Sequence, residues 1–325
     1  MPSKKLTVLS LSLFFALGVI GLRASAQSLT GEWKGSLVKD KSKVNLNFAM
    51  RRETDGDKKW NHTIGHTFEF SELGLSREQV LNGGPVSFRL TREAGTIEGE
   101  GTFQDEKGTG TYRFIGNTGF LGAMKTRGFD FEKESGIQHE SKPKHQSTLE
   151  EKLFTAAVLN VTTALADDLR SANFPNLDVG DLFKAAIFKI DSAFMREMKS
   201  TGFPNLSMED LVKARIFKID AAFVKRATEM GFGKKGFEDL VKMSIFKVTP
   251  EFVAEVRNEG LTNLTMEEVV KLRIFKIDGE FIRKAKAEGV DLNVQSLVQK
   301  KLGVSRTQRA PRPPRVRTRP RTVVI

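Results

Sequence analysis

Two residue patterns in this chain could do chemistry. The first is His62-x-x-x-His66, with Asp57 and Glu69 close by in sequence. On a helix that spacing puts both imidazoles on one face, and a carboxylate would add oxygen to a zinc site. The second is the word IFKID at 187–191, 216–220 and 274–278, with the variant IFKVT at 245–249. It presents an ammonium group in every copy and a carboxylate in most, which would suit acid–base work or the binding of an anion.

Neither pattern becomes a catalytic site. Asn61, Thr63, Ile64 and Gly65 do not favour a helix, and their flanks read as loop and strand, so the histidines read as surface or half-buried side chains. The aspartate of the word gives way to Thr162 and Thr249 in two copies, and no partner recurs with it. Cysteine is absent, which removes disulfides, thiolate ligands and thiol nucleophiles. The glycines at 95, 99, 101, 108 and 110 lack the lysine and the strand–helix setting of a phosphate loop, and they fit tight turns and curved strands. No nucleophile–base pair or carboxylate dyad stands out. No catalytic residue, metal or cofactor is assigned.

The word marks a period. Its copies start at 187, 216, 245 and 274, a step of 29 residues. Leu153, Leu182, Leu211, Leu240 and Val269 keep that step, as do Phe194, Phe223, Phe252 and Phe281, and Gly202, Gly231, Gly260 and Gly289. Several columns on one period define a repeat architecture. Five units run from about 149, and a closing half-repeat covers 292–304.

Each unit reads as two short helices. Ser207-x-x-Asp210 and Thr265-x-x-Glu268 are capping boxes that start the first helix. Asp191, Asp220, Thr249 and Asp278 cap the second, and Pro250 suits its first turn. The Ile-Phe pair of the word and the Phe194, Phe223, Phe252 and Phe281 column are expected to point inward. Phe223 is the test position, where truncation should unfold neighbouring units as well. Helices this short need neighbours to cover their apolar stripes, so the units are expected to stack into an α-solenoid.

Lys189, Lys218, Lys247 and Lys276 form a column that packing does not require. Stacked copies would set them as a ladder for an anionic partner. The local alternative is a lysine that complements the carbonyl end of a helix and pairs with nearby acids. Asn160 holds the same slot in the first copy.

Residues 28–131 follow another grammar. TGEWKGSLV, KVNLNFAMR, HTFEFSE, PVSFRLTRE, GTIEGEGTF and GTGTYRFIG alternate apolar and polar residues between turn signals. They predict a small antiparallel β sandwich or barrel, with Trp33 in its core and a short helical turn capped by Ser76. Gly31-x-Trp33 resembles the start of lipocalins, although about 100 residues is short for eight strands around a cavity.

The ends are read as follows. Lys4 and Lys5, the apolar run Leu6–Leu22 and Ala24-Ser25-Ala26 form a signal peptide over 1–26, with an uncleaved anchor as the alternative. Its loss lowers the net charge from +12 to +9. A polar linker spans 132–148. The tail, 305–325, holds seven arginines and no acid, so the folded body carries little of the excess charge. Arg309, Arg312, Arg315, Arg317, Arg319 and Arg321 alternate with prolines in an arm that cannot pack. It offers salt-sensitive contact with anionic lipid or a cell-surface polymer, or serves only to solubilise. Export favours surface polymers over nucleic acid.

The pattern Gly31-Glu32-Trp33-Lys34-Gly35, the stretch FRLTREAGTIEGEG (88–101) and units like VVKLRIFKIDGEFIRKAKAEG (269–289) together carry a resemblance. They resemble exported bacterial proteins in which a GxWxG β domain precedes α-hairpin repeats, similar to extracytoplasmic regions of some metallopeptidase-type membrane sensors. The resemblance covers most of 29–304. It implies an exported module for ligand recognition or protein interaction, in the periplasm or outside the cell. The peptidase motif His-Glu-x-x-His is not in this chain, so that activity does not carry over. The reading is a non-catalytic interaction protein of β + α class, with repeat lysines and tail arginines as its surface. The alternative is a small-molecule-binding β domain or a hydrolase with a site in the N-terminal domain.

Overall fold

The computed structural model describes residues 28–52, 60–133, 147–174, 176–232 and 236–304. The expected leader, most of the linker, the arginine tail and Asp57 lie outside the described residues. Two compact units divide between Thr163 and Ala164. The class is mixed: a six-stranded antiparallel sheet and, among the described residues, thirteen α-helices.

The sheet runs β1 (Ser28–Leu37), β2 (Val44–Arg52), β3 (Trp60–Phe68), β4 (Gly84–Arg92), β5 (Gly95–Gln104) and β6 (Lys107–Gly116). Its spatial order is β3-β2-β1-β6-β5-β4. That is the order of an up-and-down barrel interrupted between β3 and β4, not a sandwich. The break follows the chain, because a 3-10 turn (Phe70–Leu73) and α1 (Arg77–Asn82) lie between those strands. Asp105 and Glu106 join β5 to β6 with φ of 50° and 63°, the positive pair that a two-residue hairpin needs.

Two elements differ from expectation. HTFEFSE was expected to be a strand, but β3 ends at Phe68 and the Glu69 and Glu72 side chains cap the 3-10 turn. Sequence reasoning missed α2 (Thr118–Thr126), although Asn117 caps it and Phe120 and Met124 give the inward pair at i and i+4. The helical turn after Ser76 is α1, with Gln79 closing a capping box.

Alternation along each strand sends Trp33, Phe48, Phe88, Phe103, Tyr112 and Phe114 to one buried face. Glycines in β5 and β6 make room for these rings rather than for turns. A Cβ at Gly99 would stand 2.1 Å from the Phe88 ring, and one at Gly108 would stand 2.7 Å from Trp33.

The helix expected to begin the repeat domain, α3 (Leu149–Val158), packs on this sheet instead. Phe154 stacks on Tyr112 (5.0 Å, 13°) and meets Phe48 and Phe114 edge-on at 5.6 and 5.3 Å. Burial pushes the Tyr112 phenol well above its ordinary pKa, with the Glu151 charge adding to the effect. The first repeat therefore begins inside the sheet unit, in place of a boundary at 149.

The second unit holds α4 (Thr163–Ser171), which begins at the division, then α5 (Val179–Phe188), α6 (Ser192–Ser200), α7 (Met208–Ile216), α8 (Ala221–Glu229), α9 (Phe237–Ile245), α10 (Pro250–Asn258), α11 (Met266–Ile274), α12 (Gly279–Ala287) and α13 (Val294–Lys301). Side-chain caps sit where the sequence puts them: Ser207 and Thr265 form capping boxes, and Asp191, Asp220, Thr249 and Asp278 accept from the amide three residues on. Helix α5 contacts α7, α7 contacts α9, α9 contacts α11, and α11 contacts α13.

The aromatic column is only half inside. Phe194 and Phe252 are buried, whereas Phe223 and Phe281 are partly exposed. Arg215 covers Phe194 at 3.7 Å and Arg273 covers Phe252 at 4.7 Å, Ser244 stands in that column after Phe223, and Phe281 stays partly exposed with Lys301 4.4 Å from its ring. Phe223 is thus not the core position it was expected to be. Truncation of Phe154 to alanine should lower stability by about 3–5 kcal/mol, and Leu211→Ala by about 2–5. Phe223→Ala should cost clearly less than either in urea unfolding of the purified protein.

Candidate interaction surface

The word IFKID closes one helix and opens the next, and the structure assigns each letter a separate task. Its fourth letter is the core: Ile190, Ile219, Val248 and Ile277 are buried. Its first letter is not. Ile187, Ile216, Ile245 and Ile274 are 48–53% exposed, and the following Phe188, Phe217, Phe246 and Phe275 are half-buried. The inward assignment of the Ile-Phe pair is therefore corrected. At 3.6 residues per turn Ile216 lies about 140° round the helix from the buried Leu211, so both cannot face the core.

The lysine between them occupies a special backbone position. Lys189, Lys218, Lys247 and Lys276 have φ of 54°, 54°, 52° and 52°, the left-handed region that ends a helix. The turn is tied by the next residue, whose amide donates back into the helix: Ile190 to Ala185 O (3.0 Å), Ile219 to Ala214 O (2.8 Å), Val248 to Met243 O and Ile277 to Leu272 O (2.9 Å each). Asn160 makes the same turn in the first copy at φ 55°. Second helices end differently, on Gly202, Gly231, Gly260 and Gly289 at positive φ. All four lysine side chains are exposed, and among the described residues none has an ion-pair or hydrogen-bond partner. Pairing with nearby acids therefore does not occupy them.

Neighbouring copies hold this edge in place. Arg215 donates to Lys189 O (2.7 Å), Ser244 to Phe217 O (2.6 Å) and Arg273 to Phe246 O (3.0 Å), so the C-termini of α5, α7 and α9 are fastened by the next copy. One turn earlier, Lys184 pairs with Glu209 and Lys213 with Glu238 across copies. Burial draws the Lys184 pKa down, but its hydrogen bonds to Glu209 and Asp181 outweigh that and hold it above the ordinary lysine value. For Lys213 the bond to Glu238 raises the pKa.

A second set of cross-copy bonds serves the other helix of each unit. The amide of Ser192 donates to Asp168 (2.7 Å), that of Ala221 to Glu197 (3.0 Å) and that of Gly279 to Glu255 (2.8 Å). Within the first unit, Glu93 accepts from the amide of Thr163 (2.8 Å). The acid column has one interior exception, Arg226, and its receiver is Pro250, which has no N–H to donate.

Other candidates are not brought together. His62 and His66 lie on strand β3, paired with Met50 and Leu46, and no cluster of three metal-ligating side chains occurs among the described residues. Trp33 is packed between Phe88 (5.4 Å) and Phe103 (5.7 Å) and donates to Glu100 O (3.1 Å). A cleft of about 460 Å³ between the α4–α5 and α6–α7 loops includes Asn176, Lys199, Asn205 and Asp181, away from the lysine column. Burial pushes the Asp181 carboxyl upward, against a backbone hydrogen bond and Lys184. Arg309, Arg312, Arg315, Arg317, Arg319 and Arg321 lie outside the described residues. No described helix is long and apolar enough to cross a membrane. Compared with known proteins, the chain matches no family model, no curated protein and no solved structure.

Two stability outcomes follow from these turns and caps. Lys218→Gly should stabilise by about 0.5–1 kcal/mol, since relief of the left-handed strain exceeds the added freedom of the unfolded chain; chemical unfolding reads the difference. Pro250→Ala combined with Arg226→Glu restores a donor and its acceptor. The pair should be more stable than the sum of the single changes by about 1 kcal/mol, measured as a double-mutant cycle.

Proposed function

We propose that this protein is a non-catalytic, exported interaction protein whose helical half is an α-solenoid of stacked hairpins that presents cationic surface to an anionic partner. The contact series α5–α7–α9–α11–α13 and the cross-copy bonds support the stacking. The observation that carries the function is the unpaired, exposed lysine at the same turn of four successive copies. An ammonium row on a braced backbone concentrates positive potential along one line without needing to break internal ion pairs first. The arginine tail would add a second, salt-sensitive contact with the same class of partner, an acidic protein or a surface polymer. Export itself rests on the leader pattern and on the resemblance to exported repeat proteins.

Poly-L-glutamate is a suitable first probe. Replacement of Lys189, Lys218, Lys247 and Lys276 with glutamine should weaken its binding by about tenfold or more and flatten the salt dependence. The comparison is made in protein with and without 305–325, by fluorescence anisotropy. Equal affinity of the lysine and glutamine forms would overturn the reading.

A further inference from the structure

The lysine row has an apolar companion. On the outer face of α5, α7, α9 and α11, four columns repeat every 29 residues. Glu209, Glu238 and Glu267 come first, then Lys184, Lys213, Lys242 and Lys271, then the half-exposed isoleucines, and last the four unpaired lysines. The exposed capping acids Asp191, Asp220 and Asp278 follow two residues later. A narrow apolar strip with free ammonium groups along one side therefore lies between a row of Glu–Lys ion pairs and a row of capping aspartates.

The first copy lacks this strip. Its equivalent of the exposed isoleucine is Val158, which is 0% exposed on a helix packed against the sheet, and its left-handed residue is Asn160, not lysine. Lysine is kept at the strained position only in the copies whose isoleucine is open to solvent. The turn with the same backbone in the first copy, at φ 55°, uses asparagine. The turn itself does not require lysine, and the lysine occurs together with the exposed isoleucine.

We infer that the Ile–Lys edge of α5, α7, α9 and α11 docks an extended polypeptide segment carrying one acidic and one apolar side chain in every three residues. The inference rests on the anionic-partner reading and adds to it the class of partner and the need for apolar contact. Packed helices stand about 8–10 Å apart, and three residues of an extended polyproline-type chain span about 9.3 Å, so one peptide period matches one copy. Charge also favours a line over a plane. A flat anionic membrane would bring the exposed Asp191, Asp220 and Asp278 row against its own charge, whereas an extended chain touches only the isoleucines and the lysines beside them. The cross-copy bonds from Arg215, Ser244 and Arg273 hold the edge before anything binds, which lowers the ordering cost of association.

The test uses the full chain and a fluorescent Asp-Leu-Pro repeat about fifteen residues long, long enough to cover four copies. Asp-Ser-Pro and Lys-Leu-Pro repeats of equal length are the controls, together with vesicles of mixed phosphatidylcholine and phosphatidylglycerol. The Asp-Leu-Pro probe should bind about tenfold tighter than either control peptide. The double substitution Ile216→Ser with Ile245→Ser should remove that advantage, with circular dichroism and melting unchanged because both side chains are exposed. Lys218→Gln with Lys247→Gln should reduce binding similarly. If Asp-Ser-Pro binds as well as Asp-Leu-Pro and the serine protein binds both, the edge is only electrostatic: the anionic reading stands and this inference falls. Isoleucine-dependent vesicle binding without peptide binding would replace the peptide by a membrane and overturn it. Failure of every acidic probe, polyglutamate included, would remove both.

Discussion

A helix of nine residues leaves about as many backbone groups unpaired at its ends as it pairs within, since the first four amides and last four carbonyls have no partner of their own. The helical unit is made almost wholly of such helices, so its stability depends on what meets those ends. Three devices recur. A side chain three residues back caps the first amides, a left-handed residue turns the chain so that the next amide reaches back inside, and a side chain from the adjacent copy takes up what remains. The Arg226–Pro250 pair shows how tightly the third device follows need. Where the receiving residue is proline there is no amide to satisfy, and the acid column carries a base instead. Lys284 occupies the same column in the last full copy, where no further second helix is described.

The sheet unit answers a different constraint. Six strands with a large aromatic set on one face leave rings that a single sheet cannot cover by itself. Phe154 of α3 supplies the missing side, against Phe48, Tyr112 and Phe114, and glycines in β5 and β6 let the remaining rings lie flat against the strands. The first copy of the repeat has thereby been turned to a different use. Its inward helix serves the sheet, and its turn carries asparagine in both left-handed slots, Asn160 and Asn173.

The period, the caps and the short helices were legible because they depend on residue type at fixed spacing, and Ser207, Thr265 and the last residue of each word sit where caps must. The direction of Ile216 was not, because its neighbours Phe217 and Ile219 are also apolar and only the helical angle from Leu211 separates surface from core. Phe223 misled for another reason. The buried Phe194 and Phe252 meet an arginine of the next copy where Phe223 is followed by Ser244, and contacts between copies leave no trace in the local pattern. The association of α3 with the sheet was hidden likewise, since Phe154 looks like any core residue of a repeat. The lysine column was visible as a column, but its left-handed backbone was not, because lysine is not the residue that such a turn ordinarily selects.

That mismatch is what separates scaffold from surface in this fold. A repeat must spend its fixed spacing on inward letters, turns and caps, and each of these has a side chain whose removal would leave a void, a strained turn or an unpaired amide. The first isoleucine and the lysine of the word meet none of these needs. Leu211 and Ile219 fill the interior on either side of Ile216, and glycine or asparagine would make the turn at Lys218 with less strain. These half-exposed letters repeat at full register without filling the core, which is why the proposed binding edge is placed on them. Their joint change in the first copy, to buried Val158 and to Asn160, shows that the two letters vary together, as the proposed docking edge requires.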